Sequence, residues 1–176
     1  NVKLIKMSKV IWITGLSASG KTTLASAVTK SLKEKGHPTI MLDGDILREC
    51  FGIEGQTSRR ERLKIAFTYS RLCRMISEQN INVVIATIAL FKEVHVWNRA
   101  HINNYFEVFL DVPIFELQKR DPKGIYEKAL KGTLKNVAGI DLSVDFPANP
   151  NLHFKYNDGM NPEEMKNQIL SKCSEK

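Results

Sequence analysis

Apolar and polar positions fall in blocks along this chain, and the blocks switch between strand and helix periods. Residues 9–14 (KVIWIT) are apolar and β-branched and stop at Gly15, which predicts a buried strand. Residues 20–35 carry an amphipathic helical pattern closed by Gly36, and residues 37–42 give a second strand that ends in Asp43-Gly44-Asp45. Helical spacing runs over about 58–79. Residues 81–88 (INVVIATI) are continuously apolar, as a central parallel strand requires. A helix is predicted over 91–103, a strand over 105–112 (YFEVFLDV), then a short helix and a lysine-rich polar stretch over 120–136. Residues 152–156 read as a fifth strand and 162–172 as a closing helix, with Glu163 and Glu164 in its first turn. Strands alternating with helices predict an α/β fold, a doubly wound parallel sheet of the P-loop NTPase type flanked by helices. Neither an internal repeat nor a linker interrupts it. We expect one domain over 9–176 with a lid at about 120–136, and residues 1–8 as an N-terminal arm or expression-derived residue.

The first strand leads into Gly15-Leu16-Ser17-Ala18-Ser19-Gly20-Lys21-Thr22, which fits G-x-x-x-x-G-K-[ST] between a strand and a helix. Glycines at these positions let backbone N–H groups converge on phosphates, and the following helix adds its positive end. The expected cradle for ATP is Gly15, Ser17, Ala18, Ser19, Gly20, Lys21, Thr22 and Thr23. Lys21 should reach the β- and γ-phosphates, and the Thr22 hydroxyl should hold Mg²⁺. A guanine-reading N-K-x-D segment is absent, and the chain is short for a motor or helicase. A small-molecule kinase with ATP and Mg²⁺ as cofactors is the remaining reading.

Composition modifies this only slightly. The net charge is +7, from 26 Lys and Arg against 19 Asp and Glu, but it is spread along the chain without an aromatic-rich basic patch. Solvated lysines or a basic cleft for an anionic nucleotide explain it, so no nucleic-acid partner is expected; a non-catalytic nucleic-acid-binding protein is the distant alternative. Cys50, Cys73 and Cys173 show no metal-ligand spacing and suit a reducing cytoplasm. No apolar run approaches the roughly 20 residues that span a bilayer, so no membrane partner is expected.

A kinase also needs an acceptor side. Asp43-Gly44-Asp45 falls at the carboxyl edge of the sheet, where open α/β folds bind ligands. Asp45 is the expected base, Asp43 its support, and Arg48 would share the Asp45 helical face and suit an acceptor phosphate. Arg120-Asp121-Pro122-Lys123-Gly124 reads as a mobile basic loop that closes over the site, with Arg120 and Lys123 balancing phosphate charge.

These residues resemble the adenylylsulfate (APS) kinase family. The likeness rests on GLSASGKTT at 15–23, LDGDILR at 42–48, FEVFLDVP at 106–113, RDPKGIYEKA at 120–129 and GID at 139–141. It implies transfer of the ATP γ-phosphoryl to the ribose 3′-hydroxyl of a 5′-modified nucleotide. Family members are commonly dimeric, which leaves a homodimer open here. The resemblance also implies acceptor contacts at Thr57, Arg62, Ile88, Ala89, Lys123 and Val137, with Arg99 a further matching cation.

Departures gather at those acceptor positions. The phenylalanines with which the family sandwiches adenine are replaced by Thr57 and by Val137, followed by Ala138. Its Arg-x-x-Asn-x-Arg-Arg helix keeps only Arg62, with Ile65, Phe67 and Thr68 in the other places, and its Ile-Ser-Pro turn has become Ile88-Ala89-Leu90. Stacking on one aromatic is worth about 1–3 kcal/mol per base, so losing two walls argues against APS. Within the family the chain is similar to the branch that phosphorylates cytidine 5′-diphosphoramidate for capsular phosphoramidate. Conversion of APS to its 3′-phosphorylated form is the alternative.

Overall fold

In the computed structural model, residues 8–53, 58–156 and 161–174 are described. Five strands, β1 (Val10–Thr14), β2 (Thr39–Asp43), β3 (Asn82–Thr87), β4 (Tyr105–Asp111) and β5 (Leu152–Lys155), form one all-parallel sheet in the order β2-β3-β1-β4-β5. Seven helices accompany them among the described residues: α1 (Lys21–Glu34), α2 (Gly44–Cys50), α3 (Arg59–Ser77), α4 (Lys92–His101), α5 (Ile114–Arg120), α6 (Ile125–Leu130) and α7 (Pro162–Ser174). The expected doubly wound architecture is present. No described helix is long and apolar enough to cross a membrane.

Burial follows strand position. Every residue of β1 is buried because β3 and β4 flank it and helices cover both faces. The edge strands β2 and β5 carry exposed and half-buried residues instead. One apolar cluster packs α1 and α7 on one face through Leu24, Val28, Ile169 and Leu170. A second packs α3 and α4 on the other through Tyr69, Cys73 and Val94. A third lies beyond the carboxyl edge and joins Leu16, Leu90, Leu117, Tyr126 and Val137. From β1 the chain turns toward β2, and every later crossover runs the opposite way. The loop leaving β1 therefore sits at the reversal, where ligands enter such folds.

Two elements differ from the sequence expectation. Of the Asp-Gly-Asp segment, read as the end of the second strand, only Asp43 belongs to β2; Gly44 and Asp45 already start α2, which the Asp43 carboxylate caps by accepting the Asp45 N–H at 2.8 Å. The polar 120–136 stretch contains α6, whose apolar positions Ile125, Tyr126 and Ala129 pack into the third cluster. A short helix therefore follows the turn at 121–124, the part of the stretch read as a basic loop.

Away from the carboxyl edge, Glu107 of β4 has only 2% of its side chain exposed. Its carboxylate takes the Tyr105 hydroxyl at 2.9 Å and Arg99 at 2.9 Å, and lies 2.8 Å from His95 Nδ1. Its N–H donates to Asn151 at 2.8 Å, while Arg99 also reaches the Asn149 carbonyl. Burial raises its pKa, but the His95, Tyr105 and Arg99 contacts outweigh that and hold the carboxyl below its usual range. A carboxyl depressed on folding contributes stability that is full above the unfolded value of about 4.3 and lost as pH falls through the lower folded value. Glu107→Ala, which strands buried partners, should cost about 3–5 kcal/mol near neutrality. Denaturant melts across pH should show that difference shrinking as pH drops below the ordinary carboxylate range.

Candidate active site

Gly15 opens the loop after β1 because no side chain fits there. A Cβ would stand 2.6 Å from the Leu110 carbonyl oxygen and 2.8 Å from Ser19 Oγ. Ala18 takes φ +62° and Gly20 φ +95°, the left-handed turns that point successive N–H groups inward. Gly20 then N-caps α1 with no side-chain hydrogen bond and no acid in the first turn. The amides of that turn are thus left for an external anion, whereas α3 closes its own start with a Ser58–Glu61 capping box. Lys21 Nζ donates to the Leu16 carbonyl at 2.6 Å. Burial lowers its pKa to about 8, against the opposing pull of Asp45 and Asp43.

Asp43, buried at the end of β2, joins this loop to the next helix. One carboxylate oxygen accepts the Thr22 hydroxyl at 2.7 Å and the other accepts the Asp45 N–H at 2.8 Å. Asp45 itself stands half-exposed on α2 and pairs with both Arg48 and Lys123. Burial raises its pKa, yet the Lys123 hydrogen bond and the Arg48 and Lys123 charges together hold it below the usual range. Tyr69 of α3 donates to the Gly44 carbonyl at 3.1 Å and fixes α2 from behind. Arg62 is half-buried; burial and the nearby Arg48 charge lower its pKa, with Asp141 opposing. Arg48 and Arg62 thus bring two guanidinium charges near one another beside the half-exposed Asp45 carboxylate, a grouping suited to an anionic guest.

The lid closes the third side. Asp121 accepts the N–H groups of Ile125 at 2.8 Å and Glu127 at 2.9 Å, fixing the first turn of α6. Just before that turn Lys123 meets Asp45, while within it the Tyr126 hydroxyl donates to the Ser17 carbonyl at 3.0 Å. Burial first, then Asp121, pushes the Tyr126 phenol up to about 12, so it stays a donor. Val137 is buried beside Leu16 and Leu90, and its N–H donates to Asp141 at 2.6 Å. Ile88 is half-buried, its carbonyl accepting from Thr14, and Ala89 is buried with φ +28°.

Lys21, Thr22, Asp43, Asp45, Arg48, Arg62 and Lys123 thus come together, as the sequence predicts. Arg120 does not join them, because its guanidinium lies over the Tyr156 ring, 5.4 Å from the centroid. Nor does Arg99, which serves Glu107 near the amino end of β4. Thr57 lies outside the described residues. Sequence reasoning missed Tyr126, Asp121 and Tyr69. The apolar spacing of Ile125, Tyr126 and Ala129 was the available signal for the first, masked by the surrounding lysines.

Comparison with known proteins places this geometry. The sequence profile of the family described as adenylylsulphate kinase matches residues 7–155. A cytidine diphosphoramidate kinase of Campylobacter jejuni is 38% identical over 138 residues, 78% of this chain and 81% of that protein. An adenylyl-sulfate kinase of Pseudomonas aeruginosa is also 38% identical, over 81% of this chain and 74% of that protein. The solved APS kinase CysC of Mycobacterium tuberculosis, in complex with AMPPNP and APS, superposes with a TM-score of 0.87 at 30% identity. That match covers 97% of this chain and 99% of the other.

The lowered Lys21 pKa gives a pH signature. A triphosphate prefers the protonated amine, so affinity is greatest below about 8 and falls above it. The fall should reach up to about tenfold per pH unit. AMPPNP titrations from pH 7 to 9.5 should show it, and Lys21→Arg, which keeps its proton throughout, should flatten the profile.

Proposed function

The chain belongs to the adenylylsulphate kinase family, and from that membership we propose that it moves the ATP γ-phosphoryl to the ribose 3′-hydroxyl of cytidine 5′-diphosphoramidate. As a member of the family it is a kinase that uses an alcohol as acceptor. The acceptor is our reading, and the observation that carries it is the aliphatic, closed character of the acceptor wall. Val137 and Ala138 are buried in the third cluster with Leu90, and Ala89 between Ile88 and Leu90 is a small buried residue, so these positions present no ring face to a purine. The likeness to the C. jejuni cytidine diphosphoramidate kinase supports the same choice. APS is the second reading, favoured by an equal identity to the P. aeruginosa APS kinase.

In this reading the triphosphate lies on residues 15–23, with Lys21 against its outer phosphates. Thr22 and Asp43 offer two hard oxygen donors in mutual contact, which fits Mg²⁺ held mainly by substrate phosphates and water. Such an ion would neutralise charge on the phosphates. Arg48 and Arg62 receive the acceptor's anionic 5′ group, and Lys123 exchanges its Asp45 contact for phosphate charge. Asp45 then orients the 3′-oxygen in line with the γ-phosphorus. A carboxylate held below its usual pKa is a weak base but a good hydrogen-bond acceptor, which suits a loose transition state in which the hydroxyl proton leaves late. A cytoplasmic location fits the need for ATP in this reading.

Offered both acceptors side by side in an ADP-release assay, the enzyme should prefer cytidine diphosphoramidate by at least about tenfold, roughly the loss of one stacked ring. A tenfold preference for APS would overturn the choice. Lys21→Ala should abolish turnover with either acceptor. Asp45→Asn should lower kcat by about 10²-fold or more with little change in AMPPNP affinity, and a near-normal rate would remove Asp45 from its role.

A further inference from the structure

We propose that Tyr126 is a positioning residue for the triphosphate: its hydroxyl holds the Ser17 carbonyl outside the phosphate cradle and so turns the Ala18 N–H into it. The inference rests on the reading that residues 15–22 hold ATP, and it is independent of which acceptor follows.

The argument starts from the peptide unit between Ser17 and Ala18. No cis peptide occurs among the described residues, and in a trans unit C=O and N–H point in opposite directions. Whatever fixes the Ser17 oxygen therefore fixes the Ala18 hydrogen. Ala18 is not a glycine yet stands at φ +62°, a conformation that a side chain disfavours. Rotation of this peptide would relieve that strain and aim a carbonyl oxygen at the phosphates, where it would repel them. The preceding carbonyl, of Leu16, is restrained from within the loop by Lys21 Nζ at 2.6 Å and the Ser19 N–H at 3.3 Å. The Ser17 carbonyl takes its restraint from outside, from Tyr126 at 3.0 Å.

Tyr126 is well placed to act so. Its residue is 1% exposed and its ring lies in the apolar cluster with Leu16 and Leu117. The turn that carries it is pinned by both oxygens of Asp121, so the hydroxyl has little freedom to follow a moving carbonyl. Three residues earlier, in the turn that precedes α6, Lys123 meets Asp45, so the same segment touches both the phosphate loop and the acceptor helix.

The test is Tyr126→Phe, which keeps the ring in its cluster and removes only the oxygen. We expect cooperative melting, AMPPNP affinity weaker by about 2- to 10-fold, the net worth of one hydrogen bond, and unchanged affinity for adenosine, which has no phosphate. Wild-type AMPPNP affinity, or equal losses for AMPPNP and adenosine, would overturn the proposal. Amide exchange in the unsubstituted protein supplies a check that needs no variant. The Ala18 amide should exchange freely without nucleotide and become protected by AMPPNP, and protection unaltered by AMPPNP would sink the idea. Lys21→Ala serves as the control on the underlying reading: if it too binds AMPPNP normally, the assignment of the ATP site fails, whatever Tyr126 does.

Discussion

Asp43 engages both of its carboxylate oxygens inside the protein, one on the Thr22 hydroxyl and the other on the Asp45 amide, and the spacing of the two half-sites depends on it. Thr22 belongs to the helix that follows the phosphate loop, and Asp45 to the short helix after the second strand. These elements meet only at the carboxyl edge of the sheet, where β2 and β1 are separated by β3. A carboxylate at the last position of β2 is in register with Ala86 of β3, one residue before Thr87, which pairs with Thr14 at the end of β1. Parallel pairing thus sets the height of Asp43, and Asp43 sets the distance between Thr22 and Asp45.

The electrostatics around that carboxylate are unbalanced in a useful way. Lys21 loses part of its preference for a proton through burial, and Arg62 through burial and the neighbouring Arg48 charge. Both effects are reversed by a polyanion that brings charge without a further cation. The positive balance of the chain is thereby partly explained by a site that needs phosphate ligands, with no requirement for a polynucleotide. Cations elsewhere have local tasks: Arg59 pairs with Glu93 and Asp145, and Arg99 with Glu107.

The five strands, the phosphate loop and the Asp-Gly-Asp carboxylates were legible in the sequence because each rests on a short local pattern. A continuous apolar run, glycines at fixed offsets and acids at a strand's end carry their meaning within a few residues. The role of Arg99 was not legible, because its partner Glu107 is buried in a strand whose pattern gives no hint of a charge network. Arg120 failed for a related reason: its stacking partner Tyr156 lies 36 positions away, just past the last strand. The helix α6 within the 120–136 stretch went unread because lysines stand out in its composition while three apolar positions decide its packing. Composition reports the exposed face of a short helix, and the fold is decided by the other one.

That division of faces also determines how the lid can work. Lys123 and Asp45 are 57% and 51% exposed, and ion pairs in such settings contribute only about 0–1 kcal/mol. Burying one aliphatic or aromatic side chain contributes about 1.5–3 kcal/mol, and Tyr126 and Leu117 are both essentially buried. The apolar anchor therefore exceeds the ionic contact severalfold. An acceptor can take Lys123 from Asp45 at little cost while α6 stays seated on the phosphate loop. In the proposed reaction, exchange of that cation between the carboxylate and an incoming phosphate would need no large opening of the 120–136 segment, which would keep water from the γ-phosphate while the acceptor settles.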